Sequence, residues 1–467
     1  MKDMFPEEGR LIVRGGQKLE GAVSASGSKY SAMLALACAF LSPAGVVLRN
    51  VPPIEDVEAL LWVGKSMGIG ISRNGRTIGI DASSMDNRLI PPEFTSRLHS
   101  SYLIQPVLAS RFGEAVVGFP GGCRVDSERG TVAMAELYGV FGFEVRMDPD
   151  RRVLEVRRKG KPQASRELDF SKVSHTKITM YTKTAVLLAS STPGRTVIRR
   201  PFIGPEMRDM AELLRRMGAK ICGAGAEIMV IEGTAKFAPA ECEIRPDWIE
   251  SLTLLATGFL TGGRVTVDNL PVSRMGSELA ALAWMGADLE LPQTDGSADG
   301  TCPVSCGRGR HLQPVKLATS PWPGLNTDSH PILAACLSAI PGRSSITEGV
   351  FSNRSVYVEH FREMNVQVEC SGNTVWIDGP SVLRGARVRG HDIRTCASLL
   401  LLALAAGGET VIDEWRHLRR GYHDLPGKLR SLGARIIENS GEKYEPGEGT
   451  PVEENSAMGQ LSRGANS

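Results

Sequence analysis

Six copies of one short pattern constrain this 467-residue chain more than any other feature. In each copy a helix-like segment leads through a single pivot residue into a short alternating strand. The six pivots, at near-constant spacing, are Gly68, Gly142, Gly218, Gly286, Asn365 and Gly433. A helix that ends in the left-handed backbone region favours Gly at that point, and Asn is the usual substitute. The pattern therefore predicts six equivalent helix ends, each followed by a strand.

The segments before the pivots repeat as well. A strand rich in Val, Ile and Thr precedes each pivot helix, as at 194–198 and 408–412, and an apolar helix precedes most of these strands, as at 31–41 and 248–260. The unit therefore reads helix, strand, helix, strand, turn, strand. Six such units predict an α/β fold of two pseudo-threefold domains, each built from three repeats, with the apolar helices inside and the sheets outside.

The domain boundaries follow from where the third unit ends. We expect one domain over residues 28–245 and a second formed by 1–27 together with 246–441, with the spare N-terminal strand at 10–14 in the second. The crossover is expected at Arg245-Pro246-Asp247, because a residue before Pro favours extended backbone. The last residues, 442–467, are rich in Glu, Gly, Pro and Ser, which is typical of a disordered tail.

Composition excludes several classes of protein. The formal net charge of +2 argues against a dedicated nucleic-acid binder. The start of the chain has no apolar segment of the signal-peptide kind, and no apolar run approaches the ~20 residues that a membrane span needs. Nine scattered cysteines do not form a disulfide framework. We therefore expect a cytoplasmic protein without membrane contact, either a monomer or a weak homo-oligomer.

Polar residues open several of the apolar helices: Lys29, Asp247, Asp328 and Arg394. Helix N-termini that converge, supplemented by Lys and Arg, favour a phosphate or carboxylate ligand. The alternative for Asp247 and Asp328 is that each is a plain helix N-cap.

Cys123 lies in the most unusual loop, after Pro-Gly-Gly and close to Arg124 and Arg129. Neighbouring guanidinium groups lower a thiol pKa, which predicts a reactive or acid–base cysteine. The alternative is a surface cysteine with basic neighbours. Zinc at Cys302 and Cys306 is disfavoured by their irregular spacing and the lack of a second Cys pair.

These repeats and motifs together resemble the enolpyruvyl transferase family, in particular its UDP-N-acetylglucosamine 1-carboxyvinyltransferase branch. The similarity covers about residues 10–440. Its most specific pieces are Ser26-Gly-Ser-Lys29, Pro120-Gly-Gly-Cys123, Asn326-Thr-Asp328, Asn353-Arg354, Asp392-Ile-Arg394 and Arg420-Gly-Tyr422. The resemblance implies a two-domain inside-out α/β barrel. It also implies transfer of the enolpyruvyl group of phosphoenolpyruvate to a hydroxyl, with release of phosphate by addition and elimination and without a metal or organic cofactor.

The resemblance also implies roles for individual residues. Cys123 would protonate the methylene carbon or bond transiently to C2, and Asp328 would accept the proton of the acceptor hydroxyl. Lys29 is implied to be catalytic as well as donor-binding, and the residues implied to hold phosphoenolpyruvate are Lys29, Arg97, Arg129, Arg354 and Arg394. The residues implied to face the acceptor are Tyr30, Arg124, Lys172, Ser174, Lys177, Glu206, Asp247 and Asp328.

Departures from the family pattern lie on the acceptor side. Tyr30 stands where the family has Asn, Ser352 stands where it has Glu, and 129–134 differs after one inserted residue. The pattern is most similar to antibiotic-pathway enzymes that make 3′-enolpyruvyl-UMP for nikkomycin- and polyoxin-type nucleosides, with Tyr30 filling the space of the missing sugar and Arg124 or Lys177 meeting the UMP phosphate. The alternatives are the UDP-N-acetylglucosamine enzyme of peptidoglycan synthesis and a catalytically dead paralogue that acts as a binding or regulatory protein.

Overall fold

The computed structural model describes residues 9–95, 99–119, 135–292 and 300–439. Its strands are β1 Arg10–Arg14, β2 Glu20–Val23, β3 Val46–Arg49, β4 Gly70–Asn74, β5 Thr77–Asp81, β6 Leu89–Ile90, β7 Glu114–Gly118, β8 Phe143–Asp148, β9 Val153–Arg158, β10 Ser165–Asp169, β11 Gly194–Arg199, β12 Lys220–Cys222, β13 Ile228–Gly233, β14 Ala240–Glu243, β15 Arg264–Leu270, β16 Ala287–Glu290, β17 Cys302–Arg308, β18 Lys316–Ala318, β19 Gly342–Thr347, β20 Gln367–Ser371, β21 Thr374–Gly379, β22 Arg387–Arg389, β23 Glu409–Asp413 and β24 Arg435–Asn439.

The α-helices are α1 Lys29–Leu41, α2 Glu55–Ser66, α3 Pro92–Thr95, α4 Ile104–Phe112, α5 Ala135–Val140, α6 His175–Ser191, α7 Pro205–Arg216, α8 Trp248–Thr261, α9 Gly276–Trp284, α10 His330–Leu337, α11 Val358–Glu363, α12 Ile393–Ala405 and α13 Leu425–Ser431. Short 3₁₀ turns cover His99–Leu103, Val272–Arg274, Thr327–Ser329 and Trp415–Arg420.

The described strands form six four-stranded sheets of one plan. In each sheet two neighbouring strands run parallel and the remaining two pairings are antiparallel, as in the order β10-β11-β13-β12. The other sheet orders are β14-β3-β5-β4, β6-β7-β9-β8, β16-β17-β15-β2, β18-β19-β21-β20 and β22-β23-β1-β24. Six sheets with the same arrangement confirm the sixfold repeat that the pivots predict.

The apolar helices are buried as predicted. In α8 all residues except Thr261 are buried, and in α1 all except Tyr30 are buried. A helix that is apolar on every side must be surrounded by protein. Each half of the chain therefore surrounds its central helices with three sheets, which is the inside-out barrel implied by the resemblance.

All six pivots have positive φ, from 65° at Asn365 to 107° at Gly218. At Gly286 a Cβ would lie 2.1 Å from the carbonyl oxygen of His311, so space as well as backbone conformation requires Gly there. The fifth pivot tolerates Asn because that residue adopts the left-handed region more readily than other L-residues.

Two hydrophobic cores form, one from residues between 32 and 244 and the other from 11–25 together with 248–436. β1 lies between β23 and β24, and β2 pairs with β15, so both N-terminal strands join the second core. The chain passes between the cores twice, and the two crossings meet in a bridge between Gly27 and Pro246. We propose that these crossings divide the chain into the domains 28–245 and 1–27 plus 246–441, whereas the predicted tail, 442–467, lies outside the described residues.

Candidate active site

A cleft of about 250 Å³ lies between the two cores, where α1, α6 and α12 begin. The N-terminus of α1 is capped by the Ser28 side chain, and that of α12 by the Asp392 carboxylate. Polar and aromatic side chains from both halves line the cleft, among them Lys29, Tyr30, Asp56, Tyr102, Lys183, Phe202, Glu206, Trp322, Asp328, Phe351, Arg354, Arg394 and Arg420. The ends of buried helices from both halves thus face one shared cleft.

Lys29 is held by a carboxylate that also binds a cation from the other half. Its Nζ lies 2.5 Å from Asp56 Oδ2, and Arg420 Nε lies 3.0 Å from Asp56 Oδ1. Burial lowers the pKa of Lys29, an effect that the Asp56 charge opposes. Burial alone would raise the pKa of Asp56, but the Lys29 and Arg420 cations outweigh it and hold that pKa below its ordinary value. The cluster presents two cations and one buried anion at the floor of the cleft.

Asp328 forms the centre of a second cluster. Its Oδ1 lies 2.5 Å from an Arg354 nitrogen, and its Oδ2 accepts from Arg394 Nε at 3.2 Å. The Tyr30 hydroxyl donates to the same Oδ2 at 2.5 Å. Burial would raise the pKa of Asp328, but the Arg394 and Arg354 charges hold it well below its ordinary value. This carboxylate is therefore ionised and surrounded by donors.

The Asp328 cluster is supported from behind by neutral side chains. Arg394 also donates to the Tyr422 hydroxyl at 3.2 Å, and that hydroxyl lies 3.0 Å from Thr253 Oγ1 on α8. Arg354 Nε donates to Thr327 Oγ1 at 3.2 Å. These contacts fix the direction of both guanidinium groups before any ligand arrives.

A buried ion pair forms the wall contributed by the first half. Lys183 Nζ on α6 lies 3.2 Å from Glu206 Oε1 on α7, and 5.6 Å from the ring centres of Tyr30 and Phe202. Burial would lower the pKa of Lys183, but the Glu206 charge outweighs it and raises that pKa. The sequence-predicted Glu206 is thus in the cleft, with a partner that the sequence reading missed.

Other predicted acceptor residues lie apart from the cleft. Lys172 and Ser174 are exposed and Lys177 is half-buried, and none of them lines it, although their neighbours His175 and Thr176 do. Asp247 is the N-cap of α8, and its other oxygen accepts from the backbone N–H of Lys29 at 2.9 Å. The N-cap alternative therefore describes Asp247. Asp328 is not a cap, because Asn326 caps its turn.

Four predicted residues, Arg97, Cys123, Arg124 and Arg129, lie outside the described residues. Their proposed roles stay predictions.

Sequence reasoning missed four charged residues that line the cleft, Asp56, Lys183, Asp392 and Arg420. Arg420 belongs to the motif Arg420-Gly-Tyr422, so its motif carried a signal. The sequence signal for Asp56 was weaker, because an acidic residue in the first turn of a helix usually does no more than interact with the helix dipole. Its burial, at 5% exposed, is visible only in the structure.

Known proteins resemble this chain in sequence and in fold. A sequence model of the family described as EPSP synthase (3-phosphoshikimate 1-carboxyvinyltransferase) matches residues 13–429. The chain belongs to the EPSP synthase family. UDP-N-acetylglucosamine 1-carboxyvinyltransferases 1 of Staphylococcus epidermidis and Staphylococcus aureus are each 33% identical to it over 430 residues, 91% of this chain and 98% of theirs. The protein is therefore an enolpyruvyl (carboxyvinyl) transferase.

Two solved structures are similar to this chain over most of its length. The enolpyruvyl transferase NikO from Streptomyces tendae superposes with a TM-score of 0.82 at 28% identity, over 93% of this chain and 99% of that one. EPSP synthase from Acinetobacter baumannii, at 15% identity and a TM-score of 0.72, covers 92% of this chain and 100% of its own, and shares the fold. These likenesses confirm the two-domain inside-out barrel and the NikO-like pattern.

No helix in the described part of the chain is both long and apolar enough to cross a bilayer. Within the same residues, no group of three or more His, Cys, Asp and Glu side chains comes together in a way that would hold a metal ion.

Proposed function

We propose that this enolpyruvyl transferase moves the enolpyruvyl group of phosphoenolpyruvate to the 3′-hydroxyl of UMP and releases phosphate. The observation that carries the donor assignment is the density of cations in one small cleft. Lys29, Arg354, Arg394 and Arg420 converge there from both halves. A trianionic donor requires several cations, and guanidinium groups bind phosphate and carboxylate in pairs of hydrogen bonds.

In the proposed mechanism the donor competes with the protein's own carboxylates. Arg354 and Arg394 bind Asp328 in the ligand-free cleft. When the oxyanions of phosphoenolpyruvate take over these arginines, Asp328 loses its nearest positive charges and its pKa rises. Donor binding would thereby convert Asp328 from a neutralised anion into a general base for the acceptor hydroxyl.

The addition step then needs an acid and a base. Asp328 takes the hydroxyl proton, the acceptor oxygen bonds to C2, and C3 receives a proton from Cys123. In the elimination C3 returns a proton to Cys123, the C2–C3 double bond re-forms, and the bond between C2 and the phosphate oxygen breaks with its electron pair passing to phosphate. Arg129 and Arg97 are assigned to the donor anion by family resemblance.

The acceptor assignment is supported by Tyr30. Its half-buried ring lies in the cleft beside Lys183, and its hydroxyl contacts Asp328, where the family has a smaller Asn. A side chain of this size reduces the room beside the base, which favours a nucleotide without a bulky sugar. The likeness to NikO, an enolpyruvyl transferase, is consistent with this proposal.

A second acceptor, UDP-N-acetylglucosamine, is favoured by the 33% identity to the staphylococcal enzymes over almost their whole length. The deciding experiment measures phosphate release from phosphoenolpyruvate with UMP and, separately, with UDP-N-acetylglucosamine. Release with UMP alone supports the proposal. Release with the sugar nucleotide alone refutes it, and release with neither would refute both acceptor assignments.

A further inference from the structure

The hydroxyl of Tyr30 occupies the position on Asp328 that an acceptor hydroxyl would need. It donates to Oδ2 at 2.5 Å, and Arg394 Nε donates to the same oxygen at 3.2 Å. The other oxygen, Oδ1, receives Arg354 at 2.5 Å. Since a carboxylate offers about two lone-pair sites per oxygen, Tyr30 and Arg394 fill those of Oδ2, and Tyr30 keeps its site when the donor takes over Arg394.

The proton between Tyr30 and Asp328 belongs to the tyrosine. Burial and the Asp328 charge raise the pKa of Tyr30 above its ordinary value, whereas Arg394 and Arg354 hold the pKa of Asp328 low. The phenol oxygen keeps its proton and donates it in the hydrogen bond to the carboxylate. It therefore retains two lone pairs as acceptor sites. It can therefore receive a hydrogen bond from a ligand hydroxyl in the cleft that it lines.

Tyr30 is also rigidly placed. It follows Lys29 in the first turn of α1, whose N-terminus is fixed by the Ser28 cap and by the bond from Lys29 N–H to Asp247. Its ring lies 5.6 Å from Lys183 Nζ, which the Glu206 pair holds in turn. Proton transfer requires such fixed hydrogen-bond distances.

From this geometry we propose that Tyr30 is a catalytic proton relay, through which the acceptor hydroxyl passes its proton to Asp328. The relay rests on the proposed transferase function but not on the identity of the acceptor. As the acceptor oxygen bonds to C2, its O–H bond breaks and that proton joins the Tyr30 oxygen. At the same time the original Tyr30 proton moves to Asp328 Oδ2. The C2–C3 electron pair takes up the proton that Cys123 supplies, and no oxidant or reductant is needed.

The primary test replaces Tyr30 by Phe, which keeps the ring and removes the relay oxygen. We expect kcat to fall by about 10²-fold, the lower end of what general acid–base catalysis contributes, while the KM for the acceptor changes little. The matched control is Tyr138→Phe, which removes a buried hydroxyl bonded to Gln105 outside the cleft and should leave kcat unchanged. A Tyr30→Phe enzyme with the parent kcat would overturn the relay.

A second test separates chemistry from packing. Incorporation of 3,5-difluorotyrosine at position 30 preserves the shape but makes the phenol more acidic. A relay predicts that the pH profile of kcat shifts while the KM for the acceptor does not, whereas a purely space-filling Tyr30 predicts an unchanged profile. Failure of the proposed function is distinguishable, because then the parent enzyme itself releases no phosphate with any uridine nucleotide.

Discussion

The donor wall of the cleft differs from the predicted acceptor surface beside it, which Lys172, Ser174 and Lys177 form outside the cleft lining. On the donor wall, Lys29, Arg354 and Arg394 are buried and paired with Asp56 or Asp328. On the acceptor surface, Lys172 and Ser174 are exposed, just before α6. Buried, paired charges hold their geometry without a ligand, whereas exposed side chains take up a fixed position only when a ligand binds. The difference predicts that substitutions in the donor wall impair the reaction itself, whereas substitutions in the acceptor surface change acceptor binding alone.

The largest effect is expected for Arg394→Gln. This change removes a cation from the donor site and one partner of a buried ion pair, so kcat/KM for phosphoenolpyruvate should fall by about 10³-fold. Steady-state phosphate release measures it. The control Arg389→Gln removes an exposed arginine that pairs with Glu414 and should have little effect. Equal activities of both variants would contradict the rigid donor wall.

Asp56→Asn tests whether that carboxylate keeps its two cations in place. Burial already lowers the pKa of Lys29, and loss of the Asp56 charge lowers it further. The cationic form is then lost at a lower pH, so the alkaline limb of the kcat/KM profile should move to lower pH. The control Glu58→Gln lies on the same helix, in an exposed pair with Arg73, and should leave the profile in place. An unmoved limb in Asp56→Asn would show that Lys29 does not depend on it.

Asp328 should also make stability depend on pH. Its pKa is lower in the folded protein than in the unfolded chain, so its ionised form stabilises the fold. That contribution is complete above the ordinary Asp pKa of about 4 and is lost as the pH falls below it towards the folded value. The difference in urea midpoint between the parent and Asp328→Asn should therefore shrink between pH 7 and pH 3. A constant difference would contradict the ionised carboxylate.

The smallest effect is expected for substitution of the two lysines of the acceptor surface. The double variant Lys172→Ala, Lys177→Ala should raise the KM for the acceptor by about tenfold, which corresponds to about 1.4 kcal/mol, and leave kcat and the urea midpoint unchanged. Lys159→Ala, which removes an exposed lysine that follows β9 and pairs with Glu144, is the control. A loss of kcat instead would show that these lysines take part in the reaction itself. That result would contradict the contrast between the donor wall and the acceptor surface.

Much of the fold was predictable because each repeat unit carries its signals in short stretches of sequence. Left-handed helix ends need Gly or Asn, and helices buried on every side need apolar residues throughout, so both signals are visible residue by residue. The candidate site was predictable where a motif marks it, as for Lys29, Asp328 and Arg394. Partners such as Asp56 and Lys183 were not, because their importance arises from burial and from neighbours hundreds of residues away or on another helix. Asp247 is the opposite case. It was predicted to face the acceptor, but its side chain caps the N-terminus of α8.

The place of β1 has a consequence for how the chain is made. It lies between β23 and β24, with Arg10 opposite both Asp413 and Asn439. A ribosome adds about 5–20 residues per second, so the first strand waits tens of seconds for either neighbour to be synthesised. During that interval the domain of 28–245 can form its own core, while the apolar strand at the N-terminus is exposed. The order of synthesis thus favours completion of the 28–245 core first, whereas the sheet that contains β1 can close only after β24 has been made.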